Sequence, residues 1–292
     1  MVIIPAVLFY AIIPVIGVYI ERRRWRNFRR RFNDLRKALS LDYASLPDDE
    51  SKVYRFSGIF ESISSDGTLW IKNDDLTVQA DLKGAKTYIF LDTGAPGDNF
   101  QRIRWDRISS LTGDARVFVG GCLVNRNARW VFSSVPETPL LIIFYEGSED
   151  ALAIHAVRAG RLHNEYFNFL TPYGFILGAF SQIIIAIVYL SRPAYMLIFV
   201  SAFIAFFTPL LPWIPPGILF ATLYRRLWFQ ARIYRSNRDM IVYGMLPDEP
   251  ISNAKRYNRK AYIFEVISWL FLLAGTGVNI LFIGLIFLQF NI

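Results

Sequence analysis

The sequence predicts an α-helical membrane protein of four spans, with a small all-β domain, an OB-like barrel or a sandwich, inserted on the cytoplasmic side between the first span and the second. Three observations carry that expectation. Hydrophobic residues make up 53% of the chain and charged residues only 19%, against about 25% charged in ordinary soluble domains. The apolar residues are gathered into runs at Val2 to Ile20, Phe175 to Leu190, Ala194 to Tyr224 and Ala261 to Phe290. Between the first two runs, from Leu41 to Asn168, the chain has the composition of a globular domain.

The net charge of +8 is unevenly placed. One basic block follows the first run: Arg22, Arg23, Arg24, Arg26, Arg29, Arg30, Arg31, Arg36 and Lys37. A second lies between the last two runs, with Arg225, Arg226, Arg232, Arg235, Arg238, Lys255, Arg256, Arg259 and Lys260. Lys and Arg close to span ends resist translocation, so both blocks are expected on the cytoplasmic side. Cys122 is the only cysteine. It cannot form an intrachain disulfide, which fits a reducing compartment.

A span needs roughly 20 apolar residues. Residues 1–20 meet this without a charge, and the arginines follow rather than precede them, the reverse of a signal peptide. The expected element is an uncleaved anchor with its N-terminus outside. Residues 171–190 form the second span and are joined to the third by Ser191, Arg192 and Pro193, so the two should make a tight hairpin. As one helix, the run 193–224 would measure about 46 Å, too long for an upright span. Pro209, Pro212, Pro215 and Pro216 cannot all sit in a regular helix, so a break is expected near Thr208 to Pro216. Residues 225–260 read as a basic cytoplasmic segment and 261–290 as the last span, with the tail outside. Four crossings leave both basic blocks and the β-rich insert on one side.

Within 21–40, Trp25, Phe28, Phe32, Leu35 and Leu39 recur at steps of three and four, the apolar stripe of an amphipathic helix. The stripe can pack on the β domain or on the helix after the third span, leaving the arginines to set topology. Alternatively, Arg22, Arg23, Arg24, Trp25, Arg26, Phe28, Arg29, Arg30, Arg31 and Phe32 can face anionic lipid headgroups. Nucleic acid also binds basic segments with aromatics, but a block directly at the bilayer disfavours it.

Residues 41–168 read as a β-rich domain ending in a helix. Leu76, Val78, Ala80 and Leu82 alternate with polar residues at the period of a half-buried strand. Further strands are expected at Val53 to Ile63, Thr68 to Lys72, Lys86 to Asp92, Ala115 to Val124, Arg129 to Val135 and Leu140 to Tyr145. Turns rich in Gly, Asn, Asp and Pro separate them, as at Ser65-Asp66-Gly67 and Asn125-Arg126-Asn127. Short strands at this spacing favour a small barrel. Gly147 to Asn168 then reads as a helix leading into the second span.

Asp92-Thr93-Gly94 follows the apolar strand end Tyr88 to Leu91. The tripeptide resembles that of retroviral-type aspartic proteases, in which two carboxylates from two chains share one proton. The resemblance implies Asp92 as the catalytic carboxylate of a homodimer. Asp and Gly are also ordinary loop residues. His155 and His163 stand eight apart with no acidic or cysteine cluster beside them, so no metal site is expected, and no motif calls for a cofactor. Polar residues at membrane depth, which mark transport pathways, are limited to Gln182, Asn279, a few hydroxyls and Glu265 near a span end. Small residues recur at helical spacing, Gly174, Gly178 and Ser181 on the second span and Gly277 and Gly284 on the last. Both sets allow close helix approach, within the molecule or against a partner.

The function expected from these features is noncatalytic: a membrane scaffold or assembly subunit that presents a cytoplasmic β domain at the bilayer. Its partners would be anionic lipid and a protein or second copy. A channel or transport component is the alternative, and a tethered aspartic protease a further one. Short loops and one-sided charge point to a bacterial inner membrane.

Overall fold

A computed structural model describes residues 2–41, 52–73, 76–90, 100–104, 108, 115–126, 129–162, 165–191, 193–246 and 249–289. The chain divides into a helical unit, Met1–Arg24 with Arg161–Ile292, and a β-rich unit, Trp25–Gly160. Among the described residues, three helices are long and apolar enough to cross a membrane. They are α1 (Ile3–Arg36), which contains a π turn at Leu8–Ile12, α3 (Thr171–Leu190) and α6 (Ile251–Gln289).

In the β-rich unit the strands are β1 (Leu39–Ser40), β2 (Val53–Ile63), β3 (Thr68–Asn73), β4 (Leu76–Asp81), β5 (Lys86–Phe90), β6 (Phe100–Arg102), β7 (Arg116–Arg126), β8 (Arg129–Ser133) and β9 (Leu141–Tyr145). Five of them close on themselves in the order β2-β3-β4-β8-β7 and back to β2. Every neighbouring pair in that ring is antiparallel except β4 with β8, which is parallel. A β-bulge between Phe60 and Ser62 bends β2, a common device where a strand must curve round a barrel. Beyond the ring, β9 pairs with β7, β5 runs parallel to β9, and β6 closes that edge.

Alternation explains the half-buried strands: in β4, Val78 and Ala80 point inward while Thr77 is exposed. β7 does not alternate, because both of its faces are covered. Val117, Val119 and Leu123 join the barrel core with Leu69, Ile71, Leu82, Phe132, Ile142 and Phe144. Phe118, on the other face, meets Phe32 of α1 at 5.3 Å between ring centroids. A Cβ on Gly120 would fall on Leu35, so the strand carries glycine where the helix lies closest.

Helix α2 (Glu149–Arg158) starts at Ser148, whose hydroxyl accepts from the amide of Ala151 at 3.2 Å. It is shorter than the helix expected over Gly147 to Asn168. Gly160 takes φ +71° and the Trp25 ring stands where its Cβ would be, so the backbone turns away from helical geometry there. In the helical unit, α4 (Met196–Phe207) and α5 (Gly217–Val242) follow α3, and α5 and α6 form an antiparallel pair.

Candidate functional site

The four prolines of the third apolar run lie between α4 and α5, where the chain makes a short 3-10 turn, Leu211–Trp213, before α5 starts at Gly217. Prolines remove amide donors and leave carbonyls to be satisfied by other groups, a costly matter in hydrocarbon. Asn279 of α6 supplies them: its side-chain NH2 donates to the Leu211 carbonyl and, at 2.8 Å, to that of Ile214. Gly217 is required beside it, because a Cβ there would overlap the Asn279 amide. Gln182, the other deep amide, is fully buried and donates to the Val2 carbonyl at 3.1 Å. The two amides that stand out as candidate pathway residues are thus engaged with backbone.

A second cap lies on α1. Pro14 has no amide hydrogen for the Tyr10 carbonyl four residues before it, and the Tyr166 hydroxyl donates to that carbonyl at 2.6 Å. Asn168 donates to the carbonyls of Pro14, Glu165 and Tyr166 at 2.9, 3.0 and 3.2 Å. Gly17 makes room for it, since a Cβ would collide with the amide.

Between these two caps lies a cavity of about 480 Å³, bounded by Tyr10, Tyr166, Phe175, Pro212, Trp213, Tyr224, Arg225, Trp269 and Thr276 among others. Its walls are mainly aromatic and aliphatic, and among the described residues Arg225 is the only charged one in them. That residue is exposed and makes no ion pair or hydrogen bond among the described residues. Tyr10 is buried, and its hydroxyl has no hydrogen-bond partner among the described residues.

Beyond Tyr224, α5 carries a buried charge network. Arg232 grips Glu165 through both terminal guanidinium nitrogens, at 3.2 and 2.8 Å, and its face covers the Trp228 ring at 4.8 Å. Arg22 of α1 reaches the same carboxylate at 2.5 Å and Glu265 at 3.5 Å, and Arg235 pairs with Glu265. Arg161 and Arg238 both hold Asp239. Five guanidinium groups therefore surround three carboxylates. Burial pulls Arg232 below its ordinary pKa and Glu165 pushes back; at Arg235 burial acts against Glu265 in the same way. Nothing in the sequence pairs Glu165 with Arg232, since the two are separated by 67 positions.

In the β-rich unit, Phe28 and Phe32 are buried, Phe28 lying 4.5 Å from Tyr88 and 5.5 Å from Phe100 between ring centroids. Trp25 packs on Gly160, and the buried Arg29 donates to the Ala159 carbonyl at 2.5 Å. Arg23, Arg26 and Arg30 are exposed, while Arg22, Arg24 and Arg31 are half-buried. The small residues separate into two groups. A Cβ on Gly174 would meet the Phe9 carbonyl and one on Gly178 the Tyr10 ring, whereas among the described residues a Cβ on Gly277 or Gly284 would meet nothing within 4 Å beyond its own helix backbone. Ser181 bonds back to the Leu177 carbonyl at 2.8 Å. The close glycine crossing of α6 is at Gly275, beside Phe220 and Gly217.

Asp92, with Thr93 and Gly94, and His163 lie outside the described residues. His155 stacks near Phe90 at 4.6 Å, and the Cys122 sulfur is 2.8 Å from the Thr138 hydroxyl. Among the described residues, no group of three or more His, Cys, Asp or Glu could hold a metal ion. No protein family, curated protein or solved structure matches this chain.

Proposed function

We propose that this protein is a noncatalytic membrane scaffold or assembly subunit that carries an OB-like barrel on the cytoplasmic face. The observation that carries the reading is the course of α1. It is one helix of 34 residues. Its first half exposes apolar side chains, such as Ile3 at 73%, and its last turns bury Phe28, Phe32 and Leu35 in the β-rich unit. A span that ends inside the packing of a barrel fixes that barrel to the bilayer, and tethering raises the effective concentration of any second contact to about millimolar.

The OB-like reading is supported by the five-strand ring, with its single parallel pair and its bulged first strand. Four crossings follow if α4, the proline turn and the start of α5 together make the third span. Both basic blocks then fall inside, as the positive-inside rule requires, and exposed Arg23, Arg26 and Arg30 face anionic headgroups. The short connections fit a bacterial inner membrane.

Isolation in native lipid tests the reading. The expected result is a stoichiometric protein that copurifies and crosslinks to the barrel. A protein that came out without a partner and alone carried out solute flux or peptide cleavage would overturn it.

A further inference from the structure

We propose that the cavity at the proline turn is a binding site for one anionic phospholipid, with an acyl chain between the helices and the phosphate on Arg225. The inference is independent of what docks on the barrel; only the leaflet it draws from depends on the topology proposed above.

Shape comes first. About 480 Å³ lies within the roughly 300–1,000 Å³ range of small-molecule sites. Along α6 the lining runs from Trp269 to Thr276, and along α5 it extends from the proline turn to Arg225. At 1.5 Å per residue, seven positions of helix make a slot about 10 Å long. That length and an apolar wall suit part of a hydrocarbon chain better than a compact polar solute.

Polarity comes second. The deep end, at Pro209, Pro212 and Trp213, offers no charge, and Arg225 stands at the other. The occupant therefore needs an apolar tail and an anionic head. Arg225 is free to take such a head, because no described carboxylate engages it, and the carboxylates of the network about two turns further along α5 are already held by five arginines. Access comes third. Phe167 and Trp269, both in the lining, are exposed, and tryptophan prefers the headgroup boundary. The unpartnered, buried Tyr10 hydroxyl in the wall marks polar capacity that the protein itself leaves unused.

The test is native mass spectrometry of the full chain, released from bilayers containing equal amounts of phosphatidylglycerol and phosphatidylcholine. The expected result is one phosphatidylglycerol retained per chain under activation that strips phosphatidylcholine. Arg225→Gln should reduce that retention about fivefold, the effect of one basic residue near an anionic headgroup, and should abolish the preference between the two lipids. Ala11→Phe, which narrows the mouth, should release both. Arg226→Gln, the neighbouring exposed arginine outside the lining, should change nothing. Equal retention of the two lipids by the unaltered protein would overturn the proposal. So would an equal loss in Arg226→Gln, because the lipid would then be held by surface charge rather than by the cavity.

Discussion

The barrel and the helical unit differ in how much polar side chain they bury. The barrel hides Leu69, Ile71, Leu123, Phe132 and Phe144 and turns its charges outward. In the helical unit many large apolar side chains are outside, Leu197 at 79% exposure, and the interior holds Arg232, Glu165, Asn168, Gln182, Asp239 and Asn279 beside Leu211, Met240 and Ile241. For the barrel and for the apolar helices, the pattern is the one expected of water and of hydrocarbon respectively. Water drives apolar surface inward in the barrel. Hydrocarbon provides no such drive between helices, so packing and hydrogen bonds hold them, and every backbone group freed by proline needs a partner.

The sharpest way to break that contrast is at the charge network. Glu165→Ala should cost about 3–5 kcal/mol, because it strands Arg232 without a partner in a buried site. Equilibrium unfolding in mild detergent measures it, and replacing Glu165 and Arg232 together by Met should recover most of the loss. In the barrel the corresponding lesion is apolar: Leu123→Ala should cost about 2–5 kcal/mol by leaving a cavity, seen in the same experiment. Gly178→Ala should cost about 1–3 kcal/mol through overlap with Tyr10, and Gly284→Ala should stay within about 0.5 kcal/mol. The smallest charge effect is expected at Arg126→Ala. Its pair with Asp81 is exposed, at 55% and 21% of the two side chains, so the loss should be about 0–1 kcal/mol. A cost there as large as that of Glu165→Ala would erase the distinction between the units.

Local chemistry was legible in the chain and distant pairing was not. The strand over Val53 to Ile63 coincides with β2 because a run rich in apolar and β-branched or aromatic residues is closed by a Ser-Asp-Gly turn. β1 and β6 escaped notice because two or three residues are too few to show a period. The third apolar run is divided at its prolines, where missing amide hydrogens are a purely local fact. Helical spacing drew attention to Gly277 and Gly284, yet the crowded position on α6 is Gly275, since spacing identifies a face without saying what lies against it. The charge network was hidden for the same reason. Arg22, Arg232, Arg235 and Arg238 look like topology signals until Glu165, Glu265 and Asp239 are brought alongside.

The meeting of Trp25 with Gly160 bears on the order of assembly during synthesis. Those two residues are the first and last of the β-rich unit, and they touch within it. As an unfolded insert, the chain between them would oppose the meeting of Arg22 with Glu165 by about 4 kcal/mol of loop-closure entropy. Once the barrel has folded, its two ends already emerge side by side. A barrel that folded first would thereby shorten the separation between Arg22 and Glu165 before Arg232 is translated.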